Sequence, residues 1–243
     1  MQNRLHSWAR GVMGGIVRSL SSVAASVPLS ASTQLHSASS VKCPWLIVGL
    51  GNPLKLFDGT RHNVGFEMID ALSDAEGIRI GTTQHKALIG KGQIESFPVL
   101  LVKPRTFMNL SGESVGALAT FYRIPPQKIL LVYDDMDLEF ARLRILPNGG
   151  HGGHNGMKSV IEHLKGCQDF PRLRIGIGRP HNKMLAPVFV LKKFSKDERK
   201  EMDMLFARGI DVIRQVIIKG VDKACSTCNE PRNQLKAMQS AAD

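Results

Sequence analysis

Apolar and polar positions along this chain switch between a period of two and a period near four. Trp45-Leu-Ile-Val-Gly-Leu50 is an unbroken apolar run closed by Gly51-Asn52-Pro53, the pattern of a buried strand ending in a loop. From Asn63 to Glu76 the apolar positions are Val64, Phe66, Met68, Ile69 and Leu72, a spacing that predicts a helix with Asn63 as its N-cap. Ala87–Ile94 and Val99–Val102, separated by Ser96-Phe97-Pro98, read as a hairpin. A second helix is expected over about Leu110–Tyr122, then a buried strand over Ile129–Asp134 with acidic residues at its carboxyl end. Strands at Arg142–Leu146 and Leu173–Ile177 and a helix at His154–Leu164 follow. Ser195-Lys-Asp-Glu198 has the form of a capping box, in which the serine oxygen accepts from the backbone and the glutamate reaches back; it opens an amphipathic helix to about Ile218. Strands alternating with helices predict one α/β domain with a mainly parallel or mixed sheet, spanning residues 43–220. After Gly220 the periodicity fades, and residues 221–243 read as a polar, loosely attached tail.

Composition adds a compartment and a partner. No stretch approaches 18 uncharged apolar residues, so no membrane-spanning helix is expected. Four cysteines in 243 residues are too few for a disulfide scaffold and favour a reducing compartment. The formal charge of +11 favours an anionic partner such as nucleic acid. That charge is uneven: residues 1–42 contain no Asp or Glu, carry Arg4, Arg10, Arg18 and Lys42, and are crowded with serine. An acid-poor, Arg-bearing, Ser-rich opening is the composition of an organellar transit peptide. Arg18 interrupts the apolar centre a secretory signal would need, and the arginine spacing favours a mitochondrion over a chloroplast. The plain alternative is a basic tail with no targeting role. Without this segment 28 basic residues face 21 acidic ones, and the remainder still carries +7.

Functional groups of open α/β sheets gather at the carboxyl ends of strands. Here the candidates are Asn52, the Thr60-Arg61-His62-Asn63 segment, Asn109, the Asp134-Asp135-Met136-Asp137 cluster and the glycine-rich Gly149–Gly156 loop. A set with one group titrating near neutrality, a carboxylate and several neutral amides suits water activation: histidine takes the proton, the carboxylate orients the ring, and asparagine amides hold a carbonyl or oxyanion. Each element has a plainer reading. His62 reads equally as a neighbour of a helix cap, Asn52 as a turn-former, the aspartates as a solvated strand end or a Mg²⁺ site, and the glycine loop as a turn or a phosphate cradle. His151 and His154 lack a third metal ligand in the sequence, and Cys225-Ser-Thr-Cys228 is a single CxxC with no second pair. Gly49-x-Gly51 lacks the third glycine of a dinucleotide fingerprint, and no P-loop Lys-Ser/Thr pair is present.

In this order along the chain, WLIVGLGNP, GTRHNVGFEMID, KPRTFMNLSG, LLVYDDMDL, GGHGGHNGMKSVIEHL and FPRLRIGIGRP resemble the bacterial-type peptidyl-tRNA hydrolase family, over about Trp45–Gly220. The resemblance implies a single domain around a twisted mixed sheet flanked by helices, and an organellar, plant-type member. It further implies a monomer without metal or other cofactor that hydrolyses the ester joining a peptide to the 3′ end of tRNA and so recycles tRNA. Carried over by position, His62 is the general base, Asp134 its orienting carboxylate, and Asn52 the group that positions water and ester. Asn109 and Asn155 contact the 3′-terminal region, and Arg174 contacts the tRNA 5′-phosphate. Three positions depart from the family pattern. Leu54 stands where the motif has glycine, Phe57 where a tyrosine precedes TRHN, so its ring but no phenolic OH is left to contact the peptide, and Leu146 where a second basic residue accompanies Arg174. Arg142 and Arg144 are the candidates to replace that second cation. The rival reading is a non-catalytic relative of the same fold that serves group II intron splicing with an RNA-binding partner.

Overall fold

The apolar runs assemble into one seven-stranded sheet. In this computed structural model, which describes residues 43–180 and 184–229, the chain runs β1 (Trp45–Gly49), α1 (Val64–Glu76), β2 (Thr82–Gln84), β3 (Ala87–Ile94), β4 (Phe97–Pro104), α2 (Ser111–Phe121) and β5 (Ile129–Asp135). It continues through β6 (Leu143–Leu146), α3 (Asn155–His163), β7 (Arg172–Gly176), α4 (Ala186–Val190), α5 (Lys196–Lys219) and α6 (Val221–Cys228). The strand order is β2-β3-β4-β1-β5-β7-β6. β4, β1, β5 and β7 are parallel, whereas β3 returns along β4, β2 along β3 and β6 along β7. The sheet is therefore mixed, as the alternation of elements predicted.

The two-residue period of the central strands sends side chains to two cores. Ile47, Val132, Leu173 and Ile175 pack with α1 and α5 residues such as Leu72 and Ile213 on one face. Leu46, Val48, Leu131 and Tyr133 pack with α2 and α3 residues such as Leu118 and Val160 on the other. Each such fully buried aliphatic contributes roughly 1.5–3 kcal/mol, far more than helix propensity supplies. One close approach sets where α1 begins: a Cβ on Gly65 would lie 2.4 Å from the Val132 carbonyl oxygen and 2.5 Å from that of Leu50. The backbone of α1 thus rests directly on β1 and β5, and the turn preceding it lands at their carboxyl ends.

Four features differ from the sequence expectations. Asn63 precedes α1 without capping it through its side chain, because its amide is engaged with Asn52 instead. β2 is a three-residue polar strand that exists by pairing with β3, and α4 is a five-residue helix with proline at its start. The expected polar tail after Gly220 is a helix through Cys228 that buries Ala224. Asn229, just beyond it, accepts from the Ile145 N–H at 3.0 Å and donates to the Ile145 carbonyl at 2.7 Å, closing the exposed edge of β6 as another strand would. The proposed transit peptide, residues 1–42, and residues 230–243 lie outside the described residues. Among the described residues no helix is long and apolar enough to cross a membrane.

Candidate active site

The carboxyl end of β5 carries the carboxylate around which the cleft is built. Asp134, near the end of β5, keeps only 2% of its side chain exposed and lies between two histidines. His62, in the single 3-10 turn Arg61–Asn63 before α1, places Nδ1 at 2.9 and 3.0 Å from the two Asp134 oxygens. His154, the N-cap of α3, places Nε2 at 3.1 Å from Asp134 Oδ1. The two rings are 5.0 Å apart.

The hydrogen-bond pattern separates the roles of the two imidazoles. His154 Nδ1 accepts from the Met157 backbone N–H at 3.2 Å, so its proton sits on Nε2 and is donated to Asp134. Both of its nitrogens are used. His62 donates Nδ1–H to Asp134, and its Nε2 has no hydrogen-bond partner among the described residues. Only His62 therefore offers a free lone pair. Burial alone would pull the His62 pKa down, but the charge of Asp134 and its hydrogen bond outweigh this and hold the imidazole above its ordinary 6.5. Burial likewise works to raise the Asp134 pKa, and the two histidines overcome it, keeping the carboxyl well below the usual carboxylate range.

The asparagines divide between bracing and display. Asn52 is buried, and its backbone N–H donates to Asn63 Oδ1 at 2.8 Å while its carbonyl accepts from Asn63 Nδ2 at 2.9 Å. Its own Oδ1 accepts from the Met108 N–H at 2.9 Å, which leaves Nδ2 as the group able to donate to an ester. One side chain thus ties the loop after β1 to the loop carrying Asn109. Asn109 and Asn155 are exposed, the latter as the first residue of α3 beside His154. Phe57 is half-buried in the short turn Lys55–Phe57.

A cleft of about 540 Å³ runs from His62 and Asp134 past the glycine loop to Arg174, with Ala186, Val190 and Leu191 along its apolar wall. Arg174 is half-buried on β7 and pairs through Nε with Asp135, and Arg179 pairs with Asp137. The acidic cluster is thus matched by arginines and histidines rather than left as free carboxylates for Mg²⁺. The register bears on the departure at Leu146, which itself lines the cleft. Arg144 is directly opposite Arg174 and Leu146 opposite Arg172, so Arg144 issues from the same face as Arg174. Arg142 is instead paired with Glu139 at 3.2 Å.

Two residues of the site have no role assigned by the sequence. His154 does find companions: one donor atom each from His62, Asp134 and His154 lie within 4.8 Å of one another, a set able to hold a transition metal in exchange for the hydrogen bonds now joining them. Arg172 is 1% exposed under the glycine loop, donating to the carbonyls of Gly150 (3.0 Å), Gln168 (2.9 Å) and Phe170 (3.2 Å). Gly152 and Gly153 above it adopt φ of +56° and +79°, left-handed values that suit glycine. Cys225 and Cys228 are free thiols on α6, away from this cleft.

Residues 46–237 match the family described as Peptidyl-tRNA hydrolase. The chain is 58% identical over 78% of its length to the chloroplastic peptidyl-tRNA hydrolase of Arabidopsis thaliana, covering 66% of that protein. It is 55% identical over 76% of its length to the mitochondrial peptidyl-tRNA hydrolase of Oryza sativa subsp. japonica, covering 74% of it. It is also 52% identical over 76% of its length to a chloroplastic group IIB intron splicing facilitator of Arabidopsis thaliana, covering 78% of it. Among solved structures, peptidyl-tRNA hydrolase from Acinetobacter baumannii superposes with a TM-score of 0.73 at 36% identity, over 79% of this chain and 97% of that one. With the family's match spanning the whole sheet and the His62–Asp134 pair, the chain belongs to the peptidyl-tRNA hydrolase family.

Proposed function

We propose that this protein hydrolyses the ester bond between a peptide, or an N-blocked amino acid, and the 3′ end of tRNA, recycling tRNA in organellar translation. The observation that carries the reading is the free Nε2 of His62 braced through Nδ1 by a buried, ionised Asp134. Nε2 takes a proton from water as the oxygen attacks the ester carbonyl, and Asp134 stabilises the imidazolium that forms. Asn52 Nδ2 and the Asn109 and Asn155 amides donate to the ester and the developing oxyanion, and Phe57 offers a ring to the peptide. The proton then passes from His62 to the departing 3′-oxygen of the terminal ribose. The pair carries this cycle without a metal. Arg174, with Arg144 beside it, supplies the phosphate contact that selects tRNA over other esters. The acid-free leader and the organellar names of the two hydrolase relatives support an organellar site of action, for which we take the mitochondrion.

The second reading, a splicing facilitator without turnover, is favoured by the 52% identical relative that bears that name. Purified protein assayed on N-acetyl-aminoacyl-tRNA separates the two. The hydrolase reading expects turnover that His62→Ala abolishes while tRNA binding stays within about twofold. Absence of turnover by the wild-type protein, with tRNA binding intact, overturns it.

A further inference from the structure

Arg61, the residue before His62, is 7% exposed and does not reach the cleft lining. Its guanidinium holds the chain on the far side of the α4 wall. One terminal nitrogen grips both oxygens of Glu198 at 2.7 and 2.8 Å, and the other donates to the carbonyls of Lys192 (3.2 Å) and Lys193 (2.8 Å). The Arg61 backbone N–H also donates to the Lys192 carbonyl at 3.0 Å, and Thr60 forms a β-bridge with Lys193. Glu198 is fixed from its other side, because the capping box at the start of α5 uses its Oε2 to accept from the Ser195 N–H at 2.7 Å. The turn carrying His62 is thereby stitched to the α4–α5 junction.

The same guanidinium lies 4.6 Å from the ring centroid of Phe189 and 5.1 Å from that of Phe194. Phe189 is the one buried residue of α4. Phe189 also packs in the core that holds α1 and α5, so the seat of α4 combines that packing with the ring's contact to Arg61, while the neighbouring Ala186, Val190 and Leu191 line the cleft. An isolated exposed ion pair contributes about 0–1 kcal/mol and would not warrant a role. Here an ion pair between a buried guanidinium and a half-buried carboxylate, two carbonyl contacts and two aromatic rings meet on one side chain that is adjacent in sequence to the base.

We propose that Arg61 is a positioning residue that sets the distance between the apolar α4 wall and His62, so that substrate resting on the wall is held at reacting distance from Nε2. The inference rests on the hydrolase reading for its kinetic consequence, but not for its geometry. A displacement of about 1 Å at a reacting centre costs up to about 10²-fold in rate. Arg61→Met, which keeps the stem and removes the head, is expected to lower kcat about 10–100-fold while KM rises less than about threefold. Arg61→Lys, which keeps the charge on Glu198 but loses the fork, is expected to recover part of that loss.

Two readouts do not depend on turnover. Amide exchange in α4 is expected to quicken at least about tenfold in Arg61→Met, because its buried ring loses the guanidinium on one side and the Lys192 and Lys193 carbonyls lose their donor. The His62 imidazole titration, followed by NMR, is expected to move to lower pH as its contact with Asp134 loosens; the titratable groups against that ring are Asp134 on β5 and His154 at the start of α3. A merely structural role lowers the melting temperature and leaves both readouts of the folded fraction unchanged. Folded Arg61→Met with kcat within twofold of wild type and unaltered α4 exchange overturns the proposal. If that variant does not fold, Glu198→Gln, which leaves the carbonyl contacts and the stacking in place, is expected to lower kcat about 3–10-fold and quicken α4 exchange, and no change in either overturns it. Wild-type protein without turnover defeats the hydrolase reading instead, and exchange and titration still decide the role of Arg61.

Discussion

Asp134→Asn tests the catalytic geometry because the structure dictates which way the new amide must face. His154 has its proton on Nε2, fixed there by the Met157 N–H on its other nitrogen, so the group at the Asp134 Oδ1 position must accept. An asparagine there keeps its oxygen toward His154 and turns its NH₂, at the Oδ2 position, toward His62 Nδ1, now 3.0 Å away. The new NH₂ favours an accepting His62 Nδ1 over the Nδ1–H that two oxygens at 2.9 and 3.0 Å now hold, and so shifts the ring proton toward Nε2, the nitrogen that has to be bare to act as a base. The substitution removes general-base assistance without removing the histidine. The expected loss in kcat is about 10²–10⁴-fold, or roughly 2.7–5.4 kcal/mol of barrier. The pH profile has a defined sign as well. Since Asp134 holds His62 above 6.5 and the base must be neutral, the acidic limb of wild-type kcat/KM is expected at a pH above 6.5. In Asp134→Asn burial remains and the carboxylate is gone, so the midpoint of His62, read by NMR, is expected below 6.5. Turnover of N-acetyl-aminoacyl-tRNA across pH 5–9 measures the rate. A folded Asp134→Asn protein retaining a third or more of wild-type kcat, or a wild-type limb at or below 6.5, refutes the assignment.

Arg174→Ala is expected to raise KM for peptidyl-tRNA and to reduce the slope of log KM against log salt by about 0.7–1, with Arg144→Ala acting in the same direction; unchanged slopes remove both from phosphate contact. Gly65→Ala is expected to destabilise the fold by about 1–3 kcal/mol or more in urea unfolding, because its Cβ would strike two backbone carbonyls that cannot turn aside. A loss below about 0.5 kcal/mol would mean that α1 does not rest on β1 and β5 as described.

Elements decided by their own residues were legible in the sequence. β1 and β5 are continuous apolar runs, and α5 begins at a capping box whose two reciprocal hydrogen bonds both form. Elements decided by neighbours were not. β2 is three polar residues held by β3, and α6 owes its place to Ala224 and to the Asn229 amide on the edge of β6. Asn63 shows how one side chain serves either end: an amide that fits an N-cap makes two hydrogen bonds to Asn52 instead, and those lie between loops no local pattern joins. The site divides in the same way. His62 and Asp134 stand in motifs with an order along the chain, but Arg172 acts through backbone carbonyls, which carry no residue signature. His154 shows no companions in the sequence because its partners lie 20 and 92 positions away, joined by the return of the chain to β5.

The energetics of the hub bear on whether such a fold is used for chemistry or only for docking. A carboxylate with 2% of its side chain exposed, flanked by histidines at 13% and 9%, has left water at a cost of several kcal/mol, which attraction to its neighbours only partly returns. Replacing a buried charged group of this kind by apolar side chains of similar volume is often neutral or stabilising. A protein that needed only a surface for RNA or for a partner would gain nothing from the arrangement, since Asp134 and the bonded edge of His62 face inward. A hydrolase gains a base whose proton-accepting nitrogen is bare, whose tautomer is fixed, and whose protonated form has a counter-ion already in place. The second histidine strengthens this asymmetry. By occupying Oδ1 with a donated proton, His154 helps keep Asp134 ionised, so that in the proposed hydrolysis the proton taken from water would stay on His62 until the leaving oxygen collects it. The hub thus supplies what the proposed hydrolysis needs and what docking alone does not require.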